Sequence, residues 1–219
     1  MGEVASQRVE IKKIELGRIV WTLFTFFYLS NFTKNLFSDI FIKNMYIPWI
    51  LCVMIFGWLG TEYYFHALFF QSSLIEPFNP FLRFLFATYF YSFVPLSFYD
   101  YFHYGAKIHF VFSLPGIFLA AYGIYLRIQS LIIQRKEKKV EKILKKNIYR
   151  KYRHPRYLGL FLIILGILGA TFSLRGAVES ILGFLLLVIS IRYEEKKLKE
   201  KYGKFYKEYL DSISPFIVF

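Results

Sequence analysis

Apolar residues run along this chain in long blocks rather than in alternation. Measured against the roughly 20 residues that a helix needs to cross a hydrocarbon core, six blocks stand out, near residues 18–33, 47–70, 81–102, 108–133, 157–174 and 176–193. The first and the last two are short. No strand-like alternation is visible, however, and a backbone in lipid must satisfy its polar groups within its own segment. The pattern predicts an all-α integral membrane protein with about six transmembrane helices. Pro48, Pro80 and Pro115 fall at or near helix starts, where proline suits the first turn or makes a kink. No internal repeat or low-complexity linker divides the chain, so residues 1–219 read as a single membrane domain. Residues 1–17 form a polar, mixed-charge arm with no apolar core and small-residue cleavage site behind it, so the first block is expected to remain as an anchor.

Composition agrees: 56% of residues are hydrophobic, 22% aromatic, and the mean hydropathy is +0.41, too apolar for a soluble domain of this size. Cys52 is the only cysteine, which excludes intrachain disulfides and cysteine metal clusters. The only histidines are His66, His103, His109 and His154, too few for a histidine-rich di-iron centre, and no HExxH motif occurs. No metal is expected.

Charge sets an orientation. The formal net charge of +13 is gathered in three regions: the N-terminal arm (Arg8, Lys12, Lys13, Arg18), eleven Lys and Arg between Gln134 and Arg156, and seven from Arg192 onward. With six spans these share one face, and the positive-inside bias makes that face cytoplasmic, with both termini there. Anionic headgroups attract such a surface at about 1 kcal/mol per basic residue. The partner implied is a membrane, not a nucleic acid.

One stretch of that charged face stands apart. In "YRKYRHPRYLGLF", Tyr149 to Phe161, a basic run carries a His-Pro pair and passes directly into an apolar block. Pro155 suits a first helical turn, which puts His154 at or near the N-cap. Free backbone N–H groups and the positive dipole end then sit beside Arg153, His154 and Arg156, an arrangement suited to anions. The chain is expected to cross, turn at "SLRGA" around Arg175 and Gly176, and return, each limb covering about 27 Å. "IRYEEKKL" would come back beside the start, with Glu194 and Glu195 facing His154. A cationic rim opposed by two carboxylates suits a zwitterionic ligand.

The run Arg153-His154-Pro155-Arg156-Tyr157-Leu158-Gly159, followed by Glu194-Glu195, Leu198, Tyr202-Gly203, Tyr206 and Tyr209, resembles the superfamily of isoprenylcysteine carboxyl methyltransferases and phospholipid methyltransferases. "SISPFI", Ser212 to Ile217, is similar to the end of the isoprenylcysteine branch, and Gly123, Arg127 and Ser130 resemble a helix that precedes the motif. The resemblance spans about residues 115–217, a methyltransferase-like core; residues 18–114 carry none. It implies a cytosol-facing pocket for S-adenosylmethionine and a lipid or lipidated substrate entering from the bilayer. It also implies cofactor contacts from Tyr149, Arg153, His154, Tyr157, Leu158, Gly159, Glu194 and Glu195, and catalytic roles for Arg127, Arg192 and Glu194. The sequence departs from the pattern twice. Asn147 stands where many relatives have Gly, and Ser190 stands one turn before Glu194 where many have Arg, with Arg192 the nearest substitute.

Singly, these features have plainer readings: His154-Pro155 as an interfacial helix start, Glu194-Glu195 as charges where a helix leaves the bilayer, and Arg127 as a side chain reaching back to the interface. Glu62 and His66 are four apart on one helix face and read as a satisfied buried pair. In the tail, Leu198, Tyr202, Phe205 and Tyr209 recur at helical spacing among lysines, as in an amphipathic C-terminal helix lying in the interface that either covers the pocket or only anchors the chain.

The sequence thus reads as an S-adenosylmethionine-dependent methyltransferase, isoprenylcysteine carboxyl methyltransferase-like, acting on a lipid or lipidated acceptor at the cytosolic face. The alternatives are a phospholipid N-methyltransferase of the phosphatidylethanolamine type, an NADPH-dependent sterol-reductase-like enzyme, and a non-catalytic lipid-binding protein. A carboxylate acceptor needs no base, whereas a protonated amine must lose a proton, a task for a carboxylate such as Glu194.

Overall fold

The computed structural model describes residues 46–65, 80–103, 110–137 and 147–213. Among these residues every regular element is helical: α1 (Tyr46–Phe65), α2 (Pro80–His103), a 3₁₀ turn (Phe110–Ser113) leading into α3 (Leu114–Glu137), the short α4 (Ile148–Lys151), α5 (Pro155–Thr171), α6 (Leu174–Tyr202) and α7 (Lys204–Ser212). Pro48, Pro80 and Pro115 all fall in first turns, where their missing N–H has no partner to lose. Pro95 lies inside α2.

Among the described residues two stretches, Phe110–Arg135 and Leu174–Tyr202, are long and apolar enough to cross a membrane, and Pro155–Thr171 is a shorter apolar helix, so the six expected spans are matched in part. The block at 18–33 lies outside the described residues. The outer surface suits lipid all the same: Phe118, Leu174, Val178, Ile181 and Leu185 are exposed, while Trp58, Phe86, Phe93, Phe98, Leu160 and Ile164 fill the core.

Helices α3 and α5 are packed almost backbone to backbone. Gly116 faces Ala170, Ala120 faces Gly166, Gly123 faces Ile163 and Arg127 faces Gly159, an antiparallel register that advances three or four residues on each helix at every step. A Cβ on Gly123 would lie 2.7 Å from the Gly159 carbonyl oxygen, and one on Gly159 would lie 2.7 Å from the Gly123 oxygen. Small residues at this spacing are what permits such approach between apolar helices.

The turn of the α5–α6 hairpin sits slightly earlier than the sequence suggests. Phe172 adopts the left-handed conformation that closes α5, and Ser173 caps α6 by accepting a hydrogen bond from the Gly176 N–H, so Arg175 and Gly176 belong to the first turn of α6. Buried Asp100 at the end of α2 accepts from the Ser173 hydroxyl and the Arg175 N–H, both at 2.9 Å, and pins the turn. α6 then runs 29 residues, about 43 Å, longer than a hydrocarbon core of roughly 30 Å. Its Lys- and Glu-rich last turns contain no breaker before Gly203, so they continue the helix beyond the apolar part instead of starting a new one.

Candidate functional site

The hairpin brings the two ends of the motif together. His154 is the residue before α5, with Pro155 in the first turn and no side-chain cap of its own. Its imidazole is thereby left to reach α6, where Nε2 lies 3.0 Å from Glu195 Oε1. Two residues on, buried Arg156 donates from Nη2 to Glu194 Oε2 at 2.8 Å and from Nη1 to Gln134 Oε1 of α3 at 3.3 Å. Lys199, one turn along α6, lies 3.9 Å from the other Glu195 oxygen. Both carboxylates of the Glu-Glu pair are thus held, each by a different basic residue of the His-Pro-Arg run. Three elements, α3, α5 and α6, meet at one end of the bundle.

Tyr149 and Tyr157 are buried beside this cluster. Burial pushes the Tyr149 phenol well above its ordinary range, and the nearby Glu194 carboxylate adds to the effect. Leu158 is buried in α5, and Gly159 lies in the seam against Gly123 and Arg127. The backbone of α4 is turned toward the site by Asn147, whose φ of 51° is a conformation that suits glycine.

The tail covers the cluster. Arg153 Nη2 donates to the carbonyls of Leu210 and Ile213, at 2.5 and 2.7 Å, so its cation serves the C-terminal end of α7, where helix carbonyls lack partners and the dipole is negative. The Tyr209 hydroxyl donates to the Tyr149 carbonyl at 3.3 Å. Tyr206 is 1% exposed, and its hydroxyl has no hydrogen-bond partner. Burial raises its pKa, as do the Glu195 and Glu194 carboxylates facing it. Burial also pushes Tyr209 up to about 12. The inward stripe differs from the expected one: Tyr206 and Tyr209 are buried and Phe205 is 72% exposed. Gly203, at φ 51°, breaks the helix and resets its phase, so the spacing of four, three and four through Leu198, Tyr202, Phe205 and Tyr209 does not describe one continuous face.

Neither expected catalytic arginine makes an ion pair with the Glu194–Glu195 pair. Arg192 is exposed, and two residues of helix place it about 200° around α6 from Glu194. Ser190, on the Glu194 face, is buried and donates to the Leu186 carbonyl at 2.7 Å. Arg127 does not reach back to the interface. It is 1% exposed and donates from Nε and Nη2 to Oε1 and Oε2 of Glu62, at 2.6 and 3.0 Å, while Trp58 donates to Glu62 Oε1 at 2.9 Å. Glu62 is therefore satisfied by Trp58 and Arg127; His66 lies outside the described residues. Arg156, Gln134, Tyr206 and Glu62 are not among the site residues that the motif assigns. Arg156 and Tyr206 lie within the motif and Glu62 reads as a buried charge in the sequence, whereas Gln134 carries no signal there.

The described residues form an all-helical bundle, with two helices apolar and long enough to cross a membrane, whose α5–α6 hairpin closes an ion-pair cluster under a C-terminal helix. Residues 112–205 match the family model of phospholipid methyltransferases, which belongs to the superfamily of membrane methyltransferases shared with the isoprenylcysteine enzymes. The matched stretch carries the cluster from Gln134 to Glu195 and supports a membrane methyltransferase that acts on lipids. No curated protein and no solved structure matches the chain.

Proposed function

We propose that the chain is a multi-pass, S-adenosylmethionine-dependent methyltransferase for a lipid acceptor, with its cofactor site at the α3–α5–α6 cluster and on the cytosolic side. The observation that carries this is the double link across the hairpin, His154 to Glu195 and Arg156 to Glu194. The residues fit a cofactor bearing a carboxylate, an ammonium and a sulfonium. Two carboxylates can hold positive groups, His154 and the start of α5 can hold a negative one, and the unpartnered Tyr206 hydroxyl offers one more polar contact. When bound, S-adenosylmethionine supplies an electrophilic methyl group. The chain's own contribution is to orient and desolvate: α7 with Tyr206 and Tyr209 excludes water, and Tyr149 and Tyr157 form dry walls, conditions under which proximity supplies most of the acceleration.

The first reading of the acceptor is an isoprenylcysteine-type carboxylate, whose attack needs no base. The second, favoured by the family that matches, is the amine of a phospholipid, whose proton must be taken up by a group such as Glu194. Either acceptor brings a long apolar chain worth about 0.8 kcal/mol per CH₂ buried. The test is transfer of labelled methyl from S-adenosylmethionine to a prenylcysteine analogue, to phosphatidylethanolamine and to short-chain forms of each. A base-labile product identifies a methyl ester and a base-stable product an N-methyl group. Equal turnover of short and long acceptors would exclude a lipid substrate.

A further inference from the structure

The most completely buried charges in the described structure belong to a pair that the motif does not contain. Glu62 is 0% and Arg127 1% exposed. The pair is bidentate, and Trp58 completes the carboxylate. Glu62 and Trp58 come from α1, outside the stretch that matches the methyltransferase family. Charges in this setting are costly and are retained where they do something, and a buried pair used only for stability can usually be replaced by apolar groups of similar volume without loss.

Arg127 is bracketed by the site. Gly159, two residues after Tyr157, is so close that a Cβ there would lie 3.1 Å from Arg127 Cβ. The Ser130 hydroxyl donates to the Arg127 carbonyl at 2.7 Å, and the buried phenols of Tyr157 and Tyr149, which also lie near Glu194, are among the guanidinium's neighbours. Glu62 fixes two of its nitrogens, Nε and Nη2, from α1.

We propose that Glu62 is a positioning residue of the cofactor site, holding the Arg127 guanidinium behind Tyr149 and Tyr157, where its positive charge favours the carboxylate end of the bound ligand. This rests on the cofactor reading above. It makes α1 part of the site.

The test compares wild type, Glu62→Gln, Glu62→Asp, Arg127→Met and the double variant Glu62→Gln/Arg127→Met, reading melting temperature in detergent and the dissociation constant for S-adenosylhomocysteine. Glu62→Gln is expected to lower both stability and affinity, the latter by about tenfold, the factor that 1.4 kcal/mol represents. The double variant, with no uncompensated charge, is expected to regain the melting temperature while affinity stays low. Glu62→Asp keeps the charge but draws the carboxylate back by one methylene, and intermediate affinity is expected at near wild-type stability. If the double variant regains both properties, or Glu62→Asp binds as wild type does, the pair is a cross-link only and the proposal is overturned. Wild type that binds no S-adenosylhomocysteine at all would overturn the cofactor reading itself, and this one with it.

Discussion

Asn147 carries a cost at a single residue. Its φ of 51° with ψ of −121° lies where side chains are disfavoured, its side chain is exposed, and it caps nothing. Glycine removes the strain at some expense in unfolded-chain entropy, and Asn147→Gly is expected to raise stability by about 1 kcal/mol, read as a higher melting temperature with unchanged S-adenosylhomocysteine affinity. His154 and Glu195 behave in the opposite sense. They are partly exposed, with Lys199 beside Glu195, so His154→Ala or Glu195→Gln removes the proposed ligand contacts without opening the core. Each is expected to weaken S-adenosylhomocysteine binding by about 1 to 3 kcal/mol, measured by calorimetry in detergent. Wild-type affinity in both variants would remove the pocket from this end of the bundle. The His-Pro start is also where sequence and geometry agree most closely, because it is local: a helix N-terminus is set by the residues on either side.

At the scale of elements, the seam between α3 and α5 and the phase break at Gly203 decide where the site groups point. Gly159 belongs to the motif, but its surroundings are the Gly123 carbonyl and the Arg127 backbone. A methyl group there must push two helices apart, a strain of about 1 to 3 kcal/mol. A methyl group on Gly57 in α1 would meet nothing within 4 Å, and alanine there is expected to be neutral or to stabilise by about 0.5 to 1 kcal/mol, the helix preference of Ala over Gly. Gly159→Ala should therefore lower the melting temperature and Gly57→Ala should not; equal effects would mean that α3 and α5 are not in backbone contact. The helix blocks were legible in the sequence because hydropathy is a sum over many residues. Which partner each helix chose was not. Arg127 reads equally well as a side chain reaching for the interface, and only the arrival of α1, sixty-five residues earlier in the chain, gives it Glu62. In the tail Leu198, Tyr202 and Tyr209 share one apolar cluster and Phe205 alone departs, since the spacing assumes one continuous helix and Gly203 supplies a corner.

Across the whole molecule the polar work is divided between two ends. One end holds His154, Arg156, Glu194 and Glu195 under α7; the other holds Asp100, Ser173 and Arg175 at the hairpin turn. The bundle between them exposes Val178, Ile181, Leu185 and Phe118, a surface that suits lipid. The basic residues are just as unequally divided: among the described residues Arg135, Arg150, Lys151, Arg153 and Arg156 and the seven from Arg192 onward lie toward the site end, an imbalance that favours a cytoplasmic position for that end. The arrangement is checked with single cysteines at Lys151 and Lys204, both exposed near the cluster, and at Phe172, exposed at the hairpin turn, in a Cys52→Ser background that removes the one native thiol. An impermeant maleimide added to intact cells is expected to label the Phe172 position alone, and all three after the membrane is permeabilised. Labelling at Lys151 and Lys204 from outside, with Phe172 protected, would invert the protein in the membrane and put its cluster out of reach of the cofactor proposed for it.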